Sequence, residues 1–315
     1  MAHIVTNKMK ILRFFTLLVL LIASILPISS SAALRVFACE PEWAALVQEL
    51  AGDNVKVYTA TRPGQDPHYV QARPSLISKI RRADLLICTG ADLEAGWLPL
   101  LLRKGHNKHV LAGQPGHLMI ADTIQLKDKP ATLDRSEGDV HAAGNPHLQT
   151  DPRNMLPAAT AITERLSKLE PSNVDFYRKN LATFNIRWQQ AIKAWEQKAA
   201  PLQGMPVVVY HRSWVYLQDW LGLKEVASLE PKPGIPPGSK YLADVLNRTQ
   251  GYKDLVVIHS QYQESKAIEW FSGKTSAPVV LLPSTIGGTA EAKDLYSWYE
   301  DILSRLLNAH GGGRD

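Results

Sequence analysis

The strongest constraint on this 315-residue chain is a rhythm: short runs rich in Val, Ile and Leu alternate with longer helical patterns, stop, and begin again. The runs cover residues 34–39, 55–59, 85–88 and 118–121, then 207–210, 255–259 and 279–282. Apolar runs this short, separated by helices, read as strands buried on both faces of parallel sheets, because each crossover helix returns the chain to the same end of the sheet. The pause and restart predict an α/β chain of two lobes, residues 33–171 and 204–309, with a tail at 310–315.

One long helical pattern fills the gap. Tyr177, Leu181, Phe184, Trp188, Ile192 and Trp195 recur at steps of four, three, four, four and three, which keeps them on one helical face. Ser172 is placed to cap the start, with Asp175 three residues on as an acidic form of the capping box. Pro201 stops the pattern. At ~1.5 Å per residue the helix is roughly 40 Å long. A linking segment at 172–203 of this kind is a single rigid strut between the lobes, and it predicts little hinge motion.

Residues 1–32 read as a secretory signal. Lys8, Lys10 and Arg13 precede an apolar run that ends near Pro27, and Ser30-Ser31-Ala32 supplies small residues for cleavage. The run is shorter than the ~20 residues a spanning helix needs, and no Cys lies near the cleavage point for lipid attachment. A soluble, monomeric protein of the periplasm is the expectation. Loss of the three cations lowers the formal charge from +5 to +2, so basicity is no argument for nucleic acid. The two cysteines, Cys39 and Cys88, each end a strand-like run and enter an oxidising compartment. They make either a disulfide between neighbouring strands or two buried thiols; geometry decides. The stretches 125–145 and 230–239 are broken by Pro and Gly and read as irregular, the first as a mobile loop beside a site.

Three histidines follow or lie beyond predicted strands, where ligands collect in open α/β sheets. His68 stands in Asp66-Pro67-His68-Tyr69, His147 in Asn145-Pro146-His147-Leu148-Gln149-Thr150-Asp151-Pro152, and His211 in Tyr210-His211-Arg212-Ser213-Trp214. Neutral imidazoles in a set of three or four suit zinc. Glu40, Glu42 and Glu230 are placed to line the same cleft. His106, His109 and His117 have no carboxylate or Cys partner and read as surface residues, although His106 and His109 are spaced to share a helical face.

In order and spacing these three segments resemble the ligand motifs of the zinc and manganese receptors of ABC importers, the cluster A-I solute-binding proteins, and the similarity spans the mature chain. The resemblance implies two α/β lobes bridged by one helix, with a metal ion in the cleft held by His68 and His147 from the first lobe and His211 from the second. It also implies a zinc cargo, since the third position is His where manganese receptors tend to carry Glu, and delivery to an ABC permease of the inner membrane. Where the family commonly supplies a late Asp as fourth ligand, this chain reads Leu282-Pro283-Ser284-Thr285-Ile286-Gly287-Gly288. The fourth position is left to a water, to His141 or to His259. A secreted zinc hydrolase is the rival from another class, but no His-Glu-x-x-His segment supplies its general base. A third reading, a receptor for haem or a siderophore, needs a much wider cleft.

Overall fold

The computed structural model describes residues 33–130, 138 and 140–311. The predicted signal at 1–32, the middle of the 125–145 loop and residues 312–315 of the predicted tail lie outside the described residues.

The first lobe is a four-stranded parallel sheet in the order β2-β1-β3-β4, formed by β1 (Leu34–Ala38), β2 (Val55–Thr59), β3 (Leu85–Cys88) and β4 (His117–Met119). Its crossovers are α1 (Pro41–Ala51), α2 (Pro74–Arg81) and α3 (Leu98–Gly105), followed by α4 (Met155–Leu169). The second lobe repeats that order as β6-β5-β7-β8, with β5 (Pro206–Val209), β6 (Lys224–Ser228), β7 (Val256–His259) and β8 (Val279–Leu281). Helices α6 (Val215–Leu221), α7 (Ser239–Thr249) and α8 (Ser265–Thr275) connect its strands.

Two strand readings need correction. The run expected at 118–121 pairs only over His117–Met119 before turning into a short 3-10 helix at Ile120–Thr123. The strand β6 was missed because Lys-Glu-Val-Ala-Ser on a sheet edge carries no apolar run; only Ala227 within it is buried. Its pairing with β5 shifts register between Val207 and Val208.

The strut is α5 (Val174–Ala199), 26 residues long, or about 39 Å. Ser172 does not cap it. Ser172 lies in a 3-10 turn, Pro171–Asn173, and the capping position belongs to Asn173 without a side-chain bond. Tyr177, Phe184, Trp188, Ile192 and Trp195 form the buried face, with Leu181 partly buried beside them. The last helix, α9 (Leu295–Gly311), packs back on this face and includes His310 and Gly311, the start of the predicted tail. Trp188 stacks on Phe184 at 5.2 Å and meets Tyr296 and Tyr299 edge-on at 4.8 and 5.6 Å. The apolar core running through α1, α5 and α9 reaches both sheets. Each large side chain so buried contributes about 1.5–3 kcal/mol, which makes the strut an integral part of both lobes.

Cys39 and Cys88 form a disulfide across β1 and β3, their Cα atoms 4.8 Å apart, as the pairing of Ala38 with Ile87 just before them requires. The tryptophans are core residues rather than a surface stripe: seven are buried and only Trp270 is exposed. Gly287 sits at φ 81° against the first lobe, where an added Cβ would stand 2.8 Å from Cγ of Pro63. Only glycine accepts both that conformation and that approach.

Candidate metal centre

Both sheets aim the carboxyl ends of their strands at one cleft, and the three histidines arrive there from separate elements. His68 comes from the loop between β2 and α2, His147 from the turn before α4, and His211 from the step between β5 and α6. One ligand-capable atom from each lies within 4.8 Å of the others. Their ring centroids stand 5.4 Å (His68–His147), 5.9 Å (His68–His211) and 5.3 Å (His147–His211) apart.

Each ring is held by a different device. His68 turns Nδ1 to Asp66 Oδ1 at 2.7 Å, and the same oxygen accepts its backbone N–H at 3.0 Å. His211 turns Nδ1 to Glu230 Oε2 at 2.6 Å. A carboxylate on Nδ1 fixes the tautomer in which Nε2 presents its lone pair to the cleft. His147 is held through its backbone: Asn145 Oδ1 accepts its N–H at 3.0 Å, and Thr150 Oγ1 donates to its carbonyl at 3.0 Å. Asn145 also reaches the other lobe, donating from Nδ2 to the Arg212 carbonyl at 2.8 Å and accepting from the Tyr216 hydroxyl at 2.7 Å.

His147 is 2 % exposed, and its Nε2 is buried without a hydrogen-bond partner among the described residues. Burial first, then the neighbouring His211, His68 and His141, hold its pKa well below the ordinary imidazole range. It is therefore a neutral ring with an unused lone pair, the state a metal requires. Burial works to raise Asp66, yet its hydrogen bonds with His68 and the electrostatic pull of the His68 and His211 rings hold it below the usual carboxylate range.

His141 also reaches the cluster: its Nε2 lies 3.3 Å from Nε2 of His68, with ring centroids 5.3 Å apart. His259 is not among the histidines grouped there; its Nδ1 faces the Ser260 carbonyl at 3.1 Å. Segment 282–288 brings Ser284 and Thr285 rather than a carboxylate, and Thr285 donates to Glu42 of the first lobe. His106 and His109 are exposed and share no helical face, since α3 ends at Gly105. His117 is not a surface residue but half-buried, with Nδ1 on the Val110 carbonyl at 2.9 Å.

Sequence reasoning placed Glu230 in the cleft without its role as the partner of His211, and quoted Asp66 only as part of a motif. A carboxylate two residues before a candidate ligand was the available signal for Asp66; Glu230, nineteen residues beyond His211, had none. In front of His68 and His211 the cleft opens into a cavity of about 180 Å³, bordered by Asp66, Glu230, Tyr69 and Tyr210.

The model of the family described as zinc-uptake complex component A, periplasmic, matches residues 36–309. The chain belongs to the ZnuA family. Membership makes it a metal-binding component of an ABC uptake system, a solute-binding protein by family. Among curated ZnuA relatives, the high-affinity zinc uptake system protein ZnuA of Yersinia pestis is 26 % identical over 268 residues, covering 78 % of this chain and 80 % of its own length. The manganese ABC transporter substrate-binding lipoprotein PsaA of Streptococcus pneumoniae is likewise 26 % identical, over 255 residues, covering 75 % and 78 %. The fold matches a zinc-bound ZnuA deletion mutant with a TM-score of 0.73 at 22 % identity, covering 88 % of this chain and 98 % of that one. Two α/β lobes on one long helix are thus the family architecture.

Proposed function

We propose that this protein is a periplasmic zinc receptor that captures one ion between its lobes and delivers it to an inner-membrane ABC permease. The observation that carries the reading is the set of imidazoles from His68, His147 and His211 converging with Nε2 of His147 buried and unpaired. His141 completes the set. Four ligands at ~2.0–2.1 Å from zinc stand roughly 3.3–3.4 Å apart at the edges of a tetrahedron, and the His68–His141 nitrogens already stand 3.3 Å apart. The other nitrogens lie within 4.8 Å, so the arriving ion draws them inward.

An all-nitrogen set favours zinc over manganese, which prefers carboxylate and water. Relatives named for zinc and for manganese match this chain about equally, so the donor atoms carry the choice. A fourth imidazole also closes the position that a hydrolytic water needs, which supports a carrier over an enzyme. The cavity of about 180 Å³ suits a bare ion; pockets for larger ligands run to about 300–1,000 Å³. Residues 1–32 act as the export signal in this reading, and the mature receptor works as a monomer.

Metal content by mass spectrometry, on untagged protein purified from the periplasm, tests this directly. About one zinc per chain, lost in the His68→Ala, His147→Ala, His211→Ala triple variant, is the expected result. Bound manganese would overturn the cargo, and metal retained in the variant would overturn the site.

A further inference from the structure

Beneath the imidazoles, three glutamates are buried together. Glu40 and Glu42 follow β1 and Glu94 follows β3; Glu40 and Glu94 are 3 % exposed and Glu42 1 %. Glu94 accepts from the backbone N–H groups of Thr89 at 2.8 Å and Gly90 at 3.0 Å. Glu40 accepts from Thr89 Oγ1 at 3.0 Å, and that hydroxyl in turn accepts from Trp43 Nε1 at 2.8 Å. Among the described residues no Lys or Arg pairs with any of the three. Three carboxylates in a low-dielectric interior without a cation cannot all stay ionised, so protons remain on the group.

The trio also touches the second lobe. Glu42 accepts the Thr285 hydroxyl, from the segment that stands where the family resemblance implies a metal-binding Asp. A small cavity of about 20 Å³, room for one water, lies between the lobes here and is bordered by Glu40, Glu42, His147, Gln149, Trp214 and Thr285. Gln149 Oε1 and Trp214 Nε1 are buried without a partner among the described residues. They are an acceptor and a donor of the kind a bridging water joins. His147 borders both this cavity and the metal centre.

We propose that Glu40, Glu42 and Glu94 form a cargo-linked proton store: a divalent ion arriving at the imidazoles expels a proton from the trio, and the Glu42 carboxylate so formed strengthens the bond it accepts from Thr285 and so holds the second lobe on the first. This rests on the metal-receptor reading. The bond broken is the carboxyl O–H; the proton leaves through the interlobe cavity to solvent, while the Thr285 hydroxyl keeps its proton and donates it to the new anion. A dication held by His147, which borders the same cavity as Glu40 and Glu42, favours the ionised trio, because its field is poorly screened in the interior. Other titratable or charged groups facing the trio are Arg62 and Tyr262 at the cavity wall, His147 between cavity and metal, and Tyr299 of α9. Burial raises both Glu42 and Glu94 to about 7, and burial followed by the charges of Glu94 and Glu42 raises Glu40 well above its ordinary range. At neutral pH the trio therefore still carries protons that an arriving ion can expel.

The test is titration calorimetry of the mature chain with zinc at pH 7, repeated in buffers of different ionisation enthalpy, which counts protons released per metal bound. With Glu42 at about 7, Glu42→Gln is expected to release about half a proton fewer than wild type. Thr285→Val is expected to weaken binding several-fold, with Thr285→Ser restoring it. Stoichiometric binding with equal proton counts in wild type and Glu42→Gln overturns the proton store alone. No binding at all sinks the receptor reading together with it. Infrared difference spectra of the wild-type protein check the same point without relying on a variant's folding. Zinc should bleach the protonated-carboxyl C=O band, and an unchanged band overturns the proposal.

Discussion

The two lobes have the same sheet order and unequal equipment. The first holds a disulfide, a buried glutamate trio and three of the four imidazoles. The second supplies His211 with its Glu230 partner, plus Thr285 as a contact on Glu42. In the proposed receptor one topology thus serves two tasks, with the first lobe a largely formed half-site and the second a cap that brings one ligand. What separates the tasks is the chemistry loaded onto the strand ends, since the backbone order is common to both.

The comparison is broken or sharpened most strongly at the disulfide. It closes a loop with a sequence separation of 49, for which chain entropy gives roughly 4 kcal/mol. The Cys39→Ser, Cys88→Ser variant should lose about that much stability in urea unfolding, and should bind metal more weakly because its half-site is less ordered. Unchanged affinity in the folded variant would mean that the first lobe does not preorganise the site.

Single ligands come next. Structural zinc sites are worth about 10–16 kcal/mol, so one ligand of four carries about 3 kcal/mol, roughly 100-fold in Kd. His147→Ala should show that loss, and His211→Ala should in addition leave the ion exchangeable, because no imidazole from the second lobe then holds it. Competition with a chromogenic chelator measures both, and equal off-rates in the two variants would erase the distinction between half-site and cap. Glu230→Gln, which leaves the His211 ring in place without its anionic partner, should cost about 10-fold, the low end for an outer partner of a metal ligand. A loss equal to that of His211→Ala would make Glu230 a ligand itself.

The smallest effect concerns pH. The folded chain keeps His147 neutral, so its pKa lies below that of the unfolded chain. The unfolded state then binds the extra proton, and metal-free stability falls as pH drops below the ordinary imidazole value of ~6.5. The buried glutamates act with the opposite sign: their raised pKa values give stability at low pH that fades as pH rises towards about 7. Unfolding of metal-free wild type and His147→Gln between pH 7 and 5 separates them. The variant should lose less on acidification, by no more than about 1.4 kcal/mol per pH unit for one proton. Parallel curves would show that His147 is not held neutral.

Much of the architecture is legible in the sequence, because parallel strands buried on both faces are apolar along their whole length and the strut face repeats at helical spacing. The edge strand β6 escaped because one-sided burial of Lys-Glu-Val-Ala-Ser leaves no run to detect. Ser172 had the right chemistry for a cap, and the chain instead spends that residue in a 3-10 turn. At the site, His68, His147 and His211 carry recognisable neighbours, whereas Glu94, which meets Glu40 only through the pairing of β1 with β3, carries none. The cysteines were undecided for the same reason. A contact made by strand register exists only once the register is known.

The disulfide and the half-site share one further property: every part of them lies before residue 151, ahead of the strut in the chain. A polypeptide that enters an oxidising compartment amino end first can pair β1 with β3, close Cys39 onto Cys88 and seat His68 beside His147 while the second lobe is still arriving. Protein domains emerging in this way fold in order. In the proposed receptor the metal-facing half would thus enter before the half that closes over it, ahead of the helix α9 that completes their shared core, and during that interval the imidazoles would be open to solvent. Metal supplied at that stage would meet a site with its floor built and its cover still to come.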